Sequence, residues 1–362
     1  MGLPNIVIEF VKKAVQTITV GSTGIVGIII KDSVHNGALV IKGVDEIPED
    51  FSTENKAYIQ RAFIGAPKKV IVYTLPTDAE SYADAQKYFA VTTVNYLVGA
   101  PDISTEEATA LATWCIGIRK NTTKRPVVVL PKTEADSKCV INFEIVNATE
   151  TDCITVDGVS YTEAQYCSRI AGLLAGLDLK VSATYKPLAE VDSIPVADKE
   201  AVDKAVDEGK LTLYNDGERI VIARGVTSLV TVTEAETEDL KKIKILAIQD
   251  LIETDIYSTI NKSYVGNYSN SYDNKMLLVT AIRSYLKKLS TAEGGKGYIN
   301  EKFTMELSVA KQKAYLESIG VDTSDMDEQA IKEANTGSYV GLAGTVSILD
   351  ALEDVDITIT KE

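Results

Sequence analysis

Three observations predict a multidomain protein of the α/β and α+β classes. From Tyr96 to about residue 177, short apolar runs alternate with helical stretches, which is the pattern of an α/β domain with a largely parallel sheet. Beyond residue 237 apolar residues recur at helical spacing, and strands give way to helices. At 362 residues the chain also exceeds the size at which one hydrophobic core keeps growing, so two or three domains are expected.

The expected order is an N-terminal strand arm (1–22), a small β-rich, sandwich-like domain (23–90), an α/β middle domain (91–236), a mainly helical C-terminal domain (237–345) and a C-terminal strand arm (346–362). Asn5 to Val11 is β-branched and apolar, with Ile6, Ile8 and Phe10 at alternate positions, and Thr17 to Val20 leads into a turn at Gly21-Ser-Thr-Gly24. Val26 to Ile30, Leu39 to Ile41 and Val70 to Thr74 read as further strands, the last buried on both faces. In the middle domain, strands at 95–98, 127–130 and 140–145 alternate with a helix opened by Ser104-Thr-Glu-Glu107 and another over 164–177. The second helix sets Ala171, Gly172, Ala175 and Gly176 on one side, where small residues let its backbone approach a sheet. Leu211 to Tyr214 and Arg219 to Ala223 flank Asn215-Asp216-Gly217, residues that tolerate positive φ, and predict a β-hairpin.

Three helices are expected in the C-terminal domain, over about 237–261, 274–289 and 305–319. In the first, Ile245, Ile248, Ile252 and Ile256 form an apolar stripe that mostly excludes Asp250, Glu253 and Asp255. At the end of the chain Val355, Ile357 and Ile359 alternate with Asp356, Thr358 and Thr360, the pattern of a half-buried strand. Such a strand either closes the chain's own sheet or pairs with a neighbouring molecule, because unpaired it leaves backbone groups and an apolar stripe in water.

Composition excludes several function classes. A formal charge of -15 argues against general nucleic-acid binding, which needs clustered Lys and Arg. The four cysteines, at 115, 139, 153 and 167, form no CxxC pair and read as reduced core residues. No segment reaches the ~18 apolar residues of a membrane helix, and the start lacks a leader pattern, so synthesis and residence in the cytosol, without membrane insertion, are expected. His35 is the single histidine, so a catalytic triad or a two-histidine zinc site would have to use it, and its polar setting reads as a solvated turn. Gly21 to Gly27 and Gly294 to Gly297 lack the P-loop and dinucleotide patterns, and Asp322 to Glu328 lacks the glycine of a calcium loop; turns and a helix cap are the better readings. No catalytic, cofactor or metal residues are assigned. One local departure is basic: Arg283 to Lys313 holds seven cations against three glutamates, a net of +4, read as either solvated helix faces or a surface for an acidic partner.

Three blocks in fixed order carry a resemblance. They are Tyr166 to Leu179 running on through Ser182 to Leu188, Gly209 to Val226, and Ile243 to Leu289 with landmarks at Asp250 to Ile256, Tyr264-Val-Gly-Asn267 and Tyr285-Leu286. Their succession resembles the tail sheath proteins of contractile phage tails, particularly the short sheaths of PBSX-like defective prophages and R-type bacteriocins. The resemblance implies a middle domain of subtilisin-like topology without activity, and a mechanical subunit that polymerises helically around a tail tube and contracts. It implies no cofactor, and partners in the tail tube protein, the baseplate and tail terminator proteins and further copies of the chain. It also favours terminal arms that exchange strands between subunits, through Ile6, Ile8, Phe10, Val355, Ile357 and Ile359, and suggests that Lys311 and Lys313 face the tube. It places the protein in the cytoplasm during assembly and then in a tail or tail-like particle. The alternative is a soluble α/β hydrolase-like or carbohydrate-modifying enzyme, which would need an acid-base pair that the sequence does not offer.

Overall fold

The computed structural model describes residues 17–360 except 22, 150, 151 and 235, so the N-terminal segment with Ile6, Ile8 and Phe10 lies outside the described residues. The chain forms two compact units. One holds residues 21–254 together with the stretch from Ile348 onward, and the other holds 255–347 with the described residues up to Val20.

The first unit begins β1 (Ile25–Lys31), β2 (Gly37–Ile41), α1 (Thr53–Ile64), β3 (Lys69–Leu75), α2 (Ala83–Val91), β4 (Tyr96–Val98) and α3 (Thr105–Asn121). It continues through β5 (Val127–Pro131), β6 (Val140–Phe143), the small hairpin β7 (Ile154–Val156) and β8 (Val159–Tyr161), α4 (Glu163–Gly176), α5 (Lys199–Asp207) and β9 (Lys210–Leu211). A second hairpin, β10 (Leu213–Asn215) and β11 (Ile220–Ile222), precedes α6 (Ile243–Thr259), which crosses from this unit into the next at 254/255. Seven strands form one sheet in the order β2-β3-β1-β4-β5-β6-β9. Every neighbouring pair is parallel except β2 with β3.

This sheet corrects the expectation of a separate β-rich domain over 23–90. β1 buries six of its seven residues and pairs with β3 on one side and β4 on the other, Ile28 standing opposite both Val72 and Val98. A strand buried on both faces belongs inside a parallel sheet covered by helices, not in an open sandwich. The expected boundary at 90/91 therefore falls within one body, and the 23–90 segment also supplies α1 and α2.

Alternate residues of β1 feed two cores. Val26, Ile28 and Ile30 pack with Tyr58, Ile59 and Ala62 of α1 and with Tyr166, Cys167, Ile170 and Ala171 of α4. Ile25 and Ile29 pack with Phe89 of α2 and Leu111, Ala112 and Cys115 of α3. Burying each such large apolar side chain contributes about 1.5–3 kcal/mol. Capping boxes start α3 at Ser104 with Glu107 and α4 at Thr162 with Gln165. The small residues of α4 have a partner other than the expected one. A Cβ on Gly172 would lie 2.0 Å from the Ala62 carbonyl oxygen, and one on Gly176 would lie 1.7 Å from that of Gly65, so these glycines admit α1, while Ala171 and Ala175 point into the core beside the sheet. The Ser168 hydroxyl fastens the same contact by donating to Tyr58 O at 2.7 Å.

The second unit adds α7 (Tyr272–Leu289), β12 (Thr304–Leu307), α8 (Val309–Ser318), α9 (Glu328–Glu333) and β13 (Leu342–Thr345). The expected helix over 305–319 is in fact a strand and a helix: β12 pairs antiparallel with β13, Met305 opposite Gly344, and Ser308 caps α8 by accepting from Lys311 N. The chain then returns from Ile348 to the first unit. All four cysteines are free and buried.

Candidate functional site

The acidic residues of α6, which the sequence sets mostly off the apolar stripe, make specific pairing contacts. Asp250 accepts two hydrogen bonds from the Arg119 guanidinium, at 2.6 and 2.8 Å, in a nearly buried pair. Burial raises the Asp250 carboxyl pKa against the pull of Arg119; it also opposes the guanidinium charge, but the contact with Asp250 outweighs it there and keeps Arg119 protonated. Glu253 makes a two-pronged contact with Arg125, which holds its pKa below the ordinary glutamate value. In the second unit Tyr285 donates from its hydroxyl to the buried Asp255 at 2.8 Å. Among the landmarks of the third sequence block, Asp250, Glu253, Asp255 and Tyr285 are thus packing and pairing residues.

The enzyme-like features resolve in the same way. His35 Nε2 meets Asp50 Oδ1 at 2.8 Å and its ring lies 4.4 Å from Phe51, while Asp32 accepts from the Val34 and His35 amides and from Asn55, which locks a turn. Gly24, at φ +98°, passes close to Ala175 O, and Gly27 faces Phe89 and Leu97, so this glycine-rich run serves packing. Asp327 caps α9 by accepting from Ala330 N at 2.7 Å, and Asp322 accepts from Ser324 in a local turn. Among the described residues no group of three His, Cys, Asp or Glu is placed to hold a metal, and no helix is long and apolar enough to cross a membrane.

The unusual surface is at the C-terminal end. Ile348 packs partly buried against the larger core, and Asp350 pairs with the Lys242 ammonium. Glu353, only 5% exposed at its side chain, accepts from Ser182 Oγ at 2.8 Å and Thr184 Oγ1 at 2.7 Å; its other oxygen lies 3.4 Å from Lys242 Nζ and 3.9 Å from Arg224 Nε. Asp354 accepts from Arg224 Nη2 at 2.6 Å. Burial works against the Lys242 charge, but Asp350 and Glu353 outweigh it and hold the ammonium pKa above the ordinary lysine value. Immediately beyond this cluster Val355, Ile357 and Ile359 are 72, 72 and 87% exposed, and residues 351–360 form no strand with the described chain. Alternation signalled the stripe but not the cluster, whose partners on the body lie 108 to 171 residues away in sequence. Lys311 and Lys313 lie on α8: Lys311 donates from Nζ to Leu342 O of β13 at 2.8 Å, and Lys313 sits 3.8 Å from Glu317.

Known proteins match this chain over nearly its whole length. The tail sheath protein of Clostridium phage phiCD119 is 37% identical to this chain over 366 aligned positions, covering 99% of both proteins. The chain belongs to the tail sheath family. Residues 76–228 match the phage tail sheath protein central domain and residues 235–328 the phage tail sheath C-terminal domain. Among solved structures, a sheath tail protein of Desulfitobacterium hafniense aligns with a TM-score of 0.66 at 16% identity, over 79% of this chain and 89% of that one. A chain of the anti-feeding prophage baseplate aligns at 0.66 and 13% identity, over 100% of this chain and 99% of that one. At those identities the alignments establish a shared fold, a mixed α/β multidomain architecture. Membership makes this sheath protein a structural component and not an enzyme, and nothing supports the hydrolase alternative.

Proposed function

We propose that this sheath protein polymerises helically around a tail tube, its subunits linked by exchanged terminal strands, and drives the tube through a cell envelope by collective contraction. The observation that carries this reading is the unpaired stripe of Val355, Ile357 and Ile359, directly after a segment fixed to the body. A period-two segment without a strand partner among the described residues is suited to adding to the sheet of a neighbour, where backbone hydrogen bonds give affinity and alternation sets register. The N-terminal residues Ile6, Ile8 and Phe10 are the matching candidates at the other end.

Contraction then moves rigid bodies while the arms keep neighbours joined, and its energy comes from subunit interfaces that form only in the shorter state, held back by a kinetic barrier. The covered parallel sheet supports the reading of the middle body as a subtilisin-like scaffold that carries load without catalysis. Of the two lysines expected at the tube, Lys311 already donates to Leu342 O, so the tube contact rests mainly on Lys313. Tube, baseplate and terminator proteins remain the proposed partners, with assembly in the cytoplasm. Electron microscopy of the purified chain tests the proposal: tubes or rings should form without cofactor, and deletion of 355–362 should leave a folded monomer. Long sheaths from the deleted chain would overturn the exchange.

A further inference from the structure

At Leu352 and Glu353 the usual placement of side chains is reversed. Leu352 is 96% exposed, while the Glu353 carboxylate beside it is 5% exposed at its side chain. Apolar burial beyond Ile348 is limited to the half-buried Leu349 and Ala351 and does not account for the placement of Glu353. Polar contacts do, and they come from three separate parts of the body: Ser182 and Thr184, Arg224, and Lys242. The receiving site is also organised without the strap. Thr184 N donates to Ser182 Oγ at 3.1 Å, Gly225 N donates to Thr184 Oγ1 at 3.0 Å, and Ser182 Oγ lies 3.0 Å from Thr184 Oγ1, so both hydroxyl oxygens are held in place by contacts within the body, the Ser182 proton being shared between Thr184 and Glu353. Two hydroxyl donors and two cations converging on one carboxylate form a site for an acidic side chain, and charge-assisted bonds of this kind are about twice as strong as neutral ones.

We propose that Glu353 is the root of the C-terminal arm: with Asp350 and Asp354 it latches residues 348–354 to the subunit's own body, so that only the chain from Val355 onward is free to join a neighbour. This rests on the strand-exchange reading for the destination of the arm, but not for the latch itself. Its first consequence is reach. The 17 residues from Val346 to Glu362 could extend about 60 Å, whereas Val355 to Glu362 spans at most about 26–29 Å at ~3.3–3.6 Å per residue, so a latched arm selects an adjacent subunit and excludes a distant one. The second is mechanical: a pull from the neighbour meets the Glu353 cluster before it reaches Ile348 and the core. The third is reversibility, because Arg224 and Lys242 keep 33% and 29% of their side-chain surface in water and their pairs are screened by salt.

The test uses the full-length chain with a nitroxide at Leu352→Cys, a position that labels selectively because the four native thiols are buried. A latched strap gives a broad, slow-motion spectrum at low salt, and the Asp350→Asn, Glu353→Gln, Asp354→Asn triple variant gives a narrow one, as does about 1 M salt. The isosteric single variant Glu353→Gln, checked by an unchanged melting temperature, should narrow it partly. In sheath assembly the triple variant should need about ten-fold more protein to polymerise. Equal label mobility in wild type and triple variant would overturn the latch. Deletion of 355–362 separates the two readings: it should abolish polymers while leaving the label slow. Polymers from the deleted chain would refute strand exchange alone, and a fast label in that monomer would refute the latch alone.

Discussion

In the sheet body β1 buries six of its seven residues, and α1 and α4 approach until their glycines leave no room for a Cβ; in the strap at 348–354 Leu352 lies outside and the Glu353 side chain inside. The body is held by packing and a few buried ion pairs, which salt barely reaches. The strap is held by ion pairs whose cations, Arg224 and Lys242, lie partly in water, and salt weakens them. A part that must stay rigid while it transmits force gains from close packing, because packed interiors deform little. A part that joins one subunit to the next gains from contacts that form and re-form without unfolding anything.

This contrast can be broken most severely at α1 and α4. Gly172→Leu would drive a side chain into backbone, and the sheath protein should lose more than about 4 kcal/mol, appearing as insoluble protein or a collapsed melting transition. A soluble variant with a near-normal melt would show that the two helices can separate freely. Next comes the buried pair. Asp250→Ala leaves the Arg119 guanidinium without its carboxylate and should cost about 3–5 kcal/mol by chemical denaturation. A loss below about 1 kcal/mol would mean that water replaces Asp250 easily.

A smaller, pH-dependent effect is expected at Glu190. Burial opposes its charge, but Arg169 Nε at 2.6 Å, supported by the Tyr166 hydroxyl at 2.8 Å, holds its pKa below the ordinary value of 4.5. A carboxyl lowered in the folded state contributes stability above the unfolded value and loses it as pH falls through the lowered one. The stability gap between wild type and Glu190→Gln should therefore shrink as pH falls below 4.5. A gap constant down to acid unfolding would assign the cost of the substitution to geometry instead of charge. Smallest in stability is Lys313→Glu on exposed α8, expected within about 0.5 kcal/mol of wild type in the monomer, while co-sedimentation with purified tube weakens. Unchanged co-sedimentation would remove Lys313 from the tube contact.

Much of the body was legible in sequence because its signals are local. The capping box at Ser104 with Glu107, the runs at 26–30, 70–74 and 127–130, and the hairpin around Asn215 to Gly217 each announce one element, and the structure has each of them. Helix α1 escaped because its buried face opens with Asn55, whose amide donates to Lys31 O and Asp32, so its apolar periodicity starts only at Tyr58. Without α1 and α2 the strands of 23–90 read as a sandwich, and the partner of the α4 glycines was assigned to the sheet. The acids of α6 sat off the apolar stripe, a pattern that solvent and buried arginine partners produce equally well. The exposed stripe at Val355 to Ile359 was visible as alternation, but its anchor was not, since a carboxylate's partners more than 100 residues away leave no local trace.

The placement of the thiols affects how an assembled particle ages. Cys115, Cys139, Cys153 and Cys167 are at most 3% exposed, and burial raises the pKa of three of them, that of Cys153 to about 12. Cys139 is drawn the other way, to about 7, by its contacts with Cys115 and Ser137, yet it is as enclosed as the rest. Oxidation and disulfide exchange require a thiolate that a reagent can reach. A sheath of these subunits held in air should therefore stay free of disulfide cross-links without added reductant, and its readiness to shorten should not decline through thiol chemistry.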